Sequence, residues 1–189
     1  MTHTEIQPRV DQLAEQSSES LPSKALLLGG CVNCIDQCNH ILGIVSQADY
    51  IDDARGSSSI GTHIRHILDR FHCFFLGLPE ASIDYDSRKR DPEIEQSIEA
   101  ALYALESVTK RVERLQQLPF LNESIAVRES ALATHPAVEI SSTLEREILG
   151  LITHSIHHLA IIGLLAKSLG HQVDCDFGKA PSTIAYERA

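Results

Sequence analysis

Residues 153–158 read Thr153-His154-Ser155-Ile156-His157-His158 and lie within a strongly apolar segment that extends to Leu169. The apolar spacing predicts one long helix through this segment. Ser141-Ser142-Thr143 followed by Glu145 is a helix start of the capping-box kind, and Gly170 is a typical helix end. We therefore expect the histidines to lie inside one wall of a helical bundle.

The first histidine pair of interest is His154 and His158, which are four residues apart and project roughly 40° from each other on one helix face. Leu151 and Leu165 lie on about the same stripe, which indicates that this face points into the bundle. Unpaired imidazoles in an apolar interior are costly, and one divalent metal ion would satisfy both rings. The alternative is a pair of core histidines with hydrogen-bond partners. His157 is interpreted as a residue behind the site or at the surface.

A second histidine group lies in Gly61–His72, which reads Gly-Thr-His-Ile-Arg-His-Ile-Leu-Asp-Arg-Phe-His. Either His63 or His66 is a candidate third ligand, and helical geometry alone does not choose between them. Asp69 follows His66 by three residues and is placed to orient a ligand or to handle a proton. Three ligands from two helices leave coordination positions open, which is typical of a catalytic metal site.

The remaining pattern predicts three more long helices and a hairpin. A short two-stranded hairpin is expected within residues 123–141, between the third and fourth helices, with Thr134-His135-Pro136 as its turn. The tail from Asp174 to Ala189 is interpreted as an ordered loop, and residues 1–20 as loosely ordered. The other helices are expected over Ser23 to Gln47, Ile60 to Leu78 and Pro92 to Leu118.

Composition fits a single domain spanning residues 1–189, with 43% apolar and 22% charged residues. The net charge of -10 argues against a nucleic-acid partner. No apolar run is expected to cross a membrane, and no signal peptide is recognised, so we expect a cytoplasmic protein. Five cysteines without a need for disulfides favour a reducing compartment.

Several other residues are candidates for a role near the site. Cys31, Cys34 and Cys38 are expected to pack a helix seam, with a metal or redox centre as the alternative. Cys73 is a candidate pocket thiol, and Glu147 is either a carboxylate behind the ligands or a surface charge. The charged loop of residues 84–90 is expected to clamp the bundle through salt bridges, with its arginines, Arg88 and Arg90, available to hold an anionic substrate.

The histidine motifs resemble those of the DinB-like (DinB/YfiT-like) superfamily of metalloenzymes. Ser59–His66 looks like the Ser-Ile-Gly start of that family's second helix, and its ligand position falls on His66. Ile67-Leu68-Asp69 continues the motif, while His154 and His158 fall on the family's His-x-x-x-His ligands. The resemblance implies an all-α, up-down-down-up four-helix bundle, with the hairpin as an insertion between helices three and four.

The resemblance departs from the family's common form after the last ligand, where Leu159-Ala160-Ile161 replace Arg-Gly-Gln. Residues 83–91 and 176–183 look like signatures of a separate subgroup. Family members include a mycothiol-dependent maleylpyruvate isomerase and bacillithiol S-transferases. The resemblance thus implies a metal-dependent enzyme that acts on a small molecule, with a low-molecular-weight thiol as a second cofactor, and a homodimer.

The reaction is expected to be thiol transfer or hydrolysis by a metal-bound water, with Asp69 as the catalytic carboxylate. The alternative is a non-catalytic helical bundle that binds a metal or ligand in a stress response. Zn or Ni is the expected ion, and Fe, Co and Mn also suit three neutral imidazoles from His66, His154 and His158.

Overall fold

A computed structural model describes residues 23–53, 58–117 and 124–189. The loosely ordered segment predicted for residues 1–20 lies outside these ranges. The described elements are α1 (Ser23–Ile44), α2 (Gln47–Ile51), α3 (Ile60–Gly77), β1 (Ser82–Asp84), α4 (Pro92–Gln96), α5 (Ile98–Gln117), β2 (Ser124–Glu129), β3 (Val138–Thr143), α6 (Leu144–Ser168) and α7 (Pro181–Glu187).

The four long helices α1, α3, α5 and α6 form the bundle, as predicted. Both α1 and α3 pack against α5 and α6, so α1 and α3 lie on opposite sides of the bundle. Lys24, in the first turn of α1, donates from Nζ to the carbonyl of Gln116 at the end of α5, so these two helices are antiparallel. The bundle core contains fully buried side chains from all four helices, among them Leu28, Ile41, Ile64, Phe71, Leu105 and Leu151.

The direction of α3 completes the up-down-down-up order predicted for the bundle. Thr62, near the start of α3, donates to Glu95 just before α5, and Arg111 within α5 lies over the ring of Phe75 near the end of α3. Therefore α3 and α5 run parallel. His63 of α3 contacts His158 of α6, and His66, further along α3, contacts His154, which comes earlier in α6. These two helices are therefore antiparallel.

Two predicted helices are interrupted by serines. The first was predicted to continue to Gln47, but Ser46 is extended and its side chain accepts from the N–H of Asp49, which starts α2. The third breaks at Ser97, whose hydroxyl accepts from the N–H of Ala100 and separates α4 from α5. Both breaks have one cause, since serine side chains compete with the helical backbone for hydrogen bonds.

The predicted hairpin is present as β2 and β3, which pair antiparallel. A third strand, β1, pairs parallel with β2 and places Ile83 beside Val127. This strand, which ends where the predicted charged loop of residues 84–90 begins, was not predicted, because a three-residue strand shows no alternation. Ile83 of β1 and Tyr85, which follows the strand, are both buried, and β1 contacts α3. The small sheet therefore connects the loop of residues 85–91 to the bundle.

The tail contains a short helix, α7, where a loop was predicted. Before it, the backbone of Gly178 lies against Leu159 and Ala160 of α6, and its N–H donates to Oε1 of Gln37 at 2.7 Å. Gly178 has φ +69, a conformation that favours glycine. The tail therefore packs on α1 and on α6, where it contacts the residues that directly follow His158.

Helix α6 is long and apolar enough to cross a membrane by length and composition, with a mean hydropathy of 1.7. No run was expected to cross a membrane; α6 reaches the length for a span, but the core helix of a folded bundle meets the same test. In the structure α6 packs against α1 and α3 in the bundle.

Candidate metal centre

Three histidine rings meet between α3 and α6. The ring centroid of His66 lies 5.0 Å from that of His154 and 4.6 Å from that of His158, and the latter two are 4.6 Å apart. One ring nitrogen from each residue lies within 4.8 Å of those of the other two. The structure thus brings together the three residues predicted as metal ligands, which we call the histidine triad.

The chemistry of the triad fits a metal ion. Nε2 of His154 is buried and has no hydrogen-bond partner within the described parts of the chain, an arrangement that costs free energy unless a ligand satisfies it. Burial is the main cause that lowers the pKa of His154 to about 4, with Arg70 as the next cause, and that of His158 to about 3, with the adjacent histidines as the next. Burial, followed by the charge of Arg88, also lowers the pKa of His66. All three rings are therefore neutral at pH 7, which is the form that binds metals.

His63 lies behind the triad rather than in it. Its Nδ1 is 2.9 Å from Nδ1 of His158, so one of the two nitrogens donates to the other. When His158 is the donor through Nδ1–H, its Nε2 is the nitrogen left free for a metal ion. Between the two alternatives left open by the sequence, the structure places His66 in the triad and His63 in contact with His158.

Asp69 is buried and is engaged away from the triad. Its Oδ2 accepts from Arg65 at 2.8 Å, and its Oδ1 accepts from the backbone N–H of Arg90 at 3.1 Å. Arg65 also donates to Glu95 at 2.7 Å, so α3, α4 and the loop of residues 85–91 are joined through one ion-pair network. These contacts indicate that Asp69 holds the loop of residues 85–91 in position. The catalytic role of Asp69 stays a prediction.

Arg88 lies in the loop of residues 85–91, next to the triad. Its Nη1 is 3.2 Å from Nδ1 of His66, and its Nε is buried without a hydrogen-bond partner in the described structure. Arg70 is also near the triad, but it pairs with both carboxylate oxygens of Glu129 and lies 3.7 Å over the ring of Tyr85. From the sequence, Arg88 and Arg90 were equal candidates for holding an anionic substrate, and the structure places Arg88 next to the triad.

Glu147 and Cys73, the remaining candidates near the site, are both buried and contact other parts of the fold. Glu147 is buried and accepts from Tyr85 Oη at 2.8 Å and from Ser142 Oγ at 2.6 Å, so it is not a surface charge. Cys73 is buried and its Sγ lies 3.6 Å from the carbonyl of Ser87, with its pKa raised by burial.

The three cysteines of α1 confirm the packing interpretation, since Cys31, Cys34 and Cys38 are all buried in the core as free thiols. His157 is exposed, with its ring 5.1 Å from that of His158.

A cleft of about 720 Å³ lies on another side of α3, between α3, α4 and α5. Asp69, His72, Lys89, Tyr103 and Arg111 line it, together with apolar residues, and the triad does not. Among the described residues a second group of potential metal ligands, Asp174, Cys175 and Asp176, lies in the tail, where the first two are exposed. We place the candidate site at the triad rather than in the cleft or the tail, because the three part-buried imidazoles of the triad converge between two bundle helices.

The fold and the triad define a four-helix bundle with a histidine site between two of its helices. A solved structure with this architecture is that of YfiT from Bacillus subtilis, a probable metal-dependent hydrolase with an unusual four-helix bundle topology. The two chains superpose with a TM-score of 0.60 at 17% sequence identity, over 82% of this chain and 93% of YfiT. The fold expected from the DinB/YfiT-like resemblance is thereby confirmed. No protein-family model matches the sequence, and no curated protein does so at a significant level.

Proposed function

We propose that this protein binds one divalent metal ion, Zn or Ni in the first place, through His66, His154 and His158, and that the bound ion serves a hydrolytic reaction on a small molecule. The convergence of three neutral imidazoles, one with an orphaned buried nitrogen, is the observation that carries the proposal. The fold shared with YfiT, a probable metal-dependent hydrolase, supports the reaction class.

The metal ligands and the residue that orients one of them come from α3 and α6. His154 and His158 come from adjacent turns of α6, and His66 comes from the facing turn of α3, so the rigid bundle fixes the spacing of the donors. His63 holds the ring of His158 through its Nδ1. A divalent ion in such a three-ligand site supplies Lewis acidity and lowers the pKa of a coordinated water or thiol.

Thiol transfer is the second reaction consistent with the resemblance, and a non-catalytic bundle is the alternative class. A catalytic site needs coordination positions that substrate can reach, and the triad supplies three ligands instead of the four that close a structural zinc site. This count favours the enzyme.

An activity assay separates these alternatives. Metal-loaded protein would be compared with His154→Ala, first on a panel of activated esters and amides, then on a cysteine-based thiol with an electrophilic acceptor. Ester or amide hydrolysis lost in the variant supports the proposal, and thiol-dependent turnover alone would replace hydrolysis by transfer. Metal binding without turnover on either panel would favour the non-catalytic bundle.

We also propose the compartment, the partners and the oligomeric state of the protein. The net charge of -10 and the five free cysteines support a small-molecule enzyme of the reducing cytoplasm, without a nucleic-acid or membrane partner. Homodimerisation is proposed on the family resemblance. Sedimentation of the full chain would test it.

A further inference from the structure

Arg88 is held in place beside the triad by anchors at both ends of its loop. At one end, Asp84 Oδ1 accepts from the backbone N–H groups of Asp86 and Ser87 at 2.9 and 3.2 Å. At the other end, Asp69 accepts from the N–H of Arg90. The guanidinium between these anchors is therefore presented to the triad by a pre-organised loop, and it reaches His66 at 3.2 Å.

The guanidinium of Arg88 differs from its neighbours in having no acidic partner. Arg65, Arg70 and Arg128 each form an ion pair with a carboxylate. Within the described residues, no carboxylate oxygen lies at ion-pair distance from Arg88, although the chain carries a net charge of -10. Its Nε, like that of Arg70, is buried without an acceptor, but Arg70 has the carboxylate of Glu129 and Arg88 has none. A partly buried guanidinium that lacks an ion-pair partner is stabilised by an anion that accepts its hydrogen bonds.

The local charge balance points in the same direction. The nearby carboxylates are already committed, with Asp69 bound to Arg65 and Glu129 bound to Arg70. A divalent ion held by neutral imidazoles next to Arg88 would leave an excess of positive charge at the triad. Two cationic groups placed together in this way attract an anion, and a planar guanidinium fork matches the oxygens of a carboxylate or phosphate.

We propose that the triad and Arg88 together bind a small-molecule oxyanion, a carboxylate or a phosphate, with Arg88 as its binding residue. This inference rests on the proposed metal site and adds the chemical class of its ligand. Arg88 is not a metal ligand. An imidazole that accepts from Arg88 at Nδ1 carries its proton on Nε2, so binding of a metal ion by His66 ends that hydrogen bond and frees the guanidinium for the anion. We therefore expect that removing the charge of Arg88 does not weaken metal binding.

The test uses full-length protein loaded with Co²⁺, whose visible absorption reports changes in coordination. Dissociation constants would be measured for inorganic phosphate, for acetate and for imidazole, the last as a neutral metal ligand. The proteins are the wild type, Arg88→Gln, Arg88→Lys and the control Arg188→Gln, which removes the same charge from an exposed arginine paired with Asp176. Metal content is determined on every sample.

Arg88→Gln is expected to weaken phosphate or acetate binding by about tenfold or more, with imidazole binding and metal content unchanged. Arg88→Lys should give an intermediate loss, because it keeps the charge but lacks the fork. Weakening of phosphate alone assigns a phosphate ligand, and weakening of acetate alone assigns a carboxylate. Arg188→Gln should bind all three probes as the wild type does.

Equal anion affinities in the wild type and Arg88→Gln, with metal bound in both, would overturn this inference and leave the metal site standing. Loss of metal in Arg88→Gln would also overturn it, because Arg88 would then support the triad itself. Absence of metal from the wild type would overturn both the inference and the proposed function.

Discussion

Nδ1 of His63 lies 2.9 Å from Nδ1 of His158, so a histidine of α3 orients a histidine of α6 across the helix interface. This contact fixes which nitrogen of His158 faces the triad. It also explains why the sequence offered two candidates three residues apart on α3. His66 meets the triad, and His63 meets the back of one of its rings.

Replacement of His63 by alanine is expected to weaken metal binding by about 10- to 100-fold without abolishing it, because hydrogen-bond partners of metal ligands tune their orientation and basicity. Competition with a chromophoric chelator would measure the affinity. His157→Ala removes an exposed histidine from the same neighbourhood and should leave the affinity unchanged. An unchanged affinity in His63→Ala would show that the contact does not support the site.

Asp69→Asn is expected to lower the free energy of unfolding by about 1–3 kcal/mol, because it removes a buried charge partner of Arg65 and weakens the bond from the N–H of Arg90. Urea denaturation would measure this. Glu106→Gln breaks an exposed pair with Lys110 and should change stability by less than about 0.5 kcal/mol. If Asp69→Asn kept full stability and lost only activity, Asp69 would be the catalytic carboxylate predicted from the sequence.

Gly178→Ala is expected to destabilise the packing of the tail on α6. The added Cβ would lie 2.5 Å from the backbone nitrogen of Ala160, and the position has φ +69. Gly170→Ala is the matched control, since its φ is +93 but nothing lies within 4 Å of its added Cβ. We expect a loss of about 1 kcal/mol in the control and at least about 1 kcal/mol more in Gly178→Ala, measured by thermal unfolding. Equal losses would show that the close approach to α6 is unimportant.

The thiols are expected to divide by burial. Burial raises the pKa of Cys31 and Cys34 to about 12 and also raises that of Cys38 and Cys73, while Cys175 is exposed. An aromatic disulfide reagent at pH 8 should therefore modify one thiol rapidly in the folded chain and all five after unfolding. Cys175→Ser should remove the rapid phase, and rapid modification of several thiols would contradict the buried arrangement.

The same shifts predict how stability changes at alkaline pH. The buried thiols of the folded chain keep their protons above pH 8.5, where those of the unfolded chain ionise. The folded state then binds more protons than the unfolded state, so stability falls as the pH rises past about 8.5. Replacing Cys31 and Cys34 by alanine should flatten this decline in urea unfolding measured from pH 7 to 10.

Much of the fold could be predicted from the sequence because its signals are local. The apolar period and caps of α3 and α6 gave both helices to within a few residues, and the alternation of residues 125–129 gave the hairpin. The breaks at Ser46 and Ser97 were missed because a serine hydroxyl bonds the backbone only in a particular local conformation. The strand β1 was missed because its pairing with β2 joins residues far apart in the chain.

The candidate site, too, could be predicted where its signals are local and not where they depend on long-range contacts. The spacing of His154 and His158 placed them on one face of α6, and family resemblance selected His66 over His63. The positions of Arg88 and His63 depend on how α3, α6 and the loop meet in space, which no local pattern encodes.

Elemental analysis of the purified protein would show whether the triad binds a divalent metal ion. Wild type would be compared with His66→Ala, His154→Ala and His158→Ala, and with His157→Ala as the control. We expect about one divalent metal ion per chain in the wild type and the control, and its loss from each triad variant. A wild type without metal after addition of Zn²⁺ or Ni²⁺, or triad variants that retain the metal, would show that the triad is not a metal site.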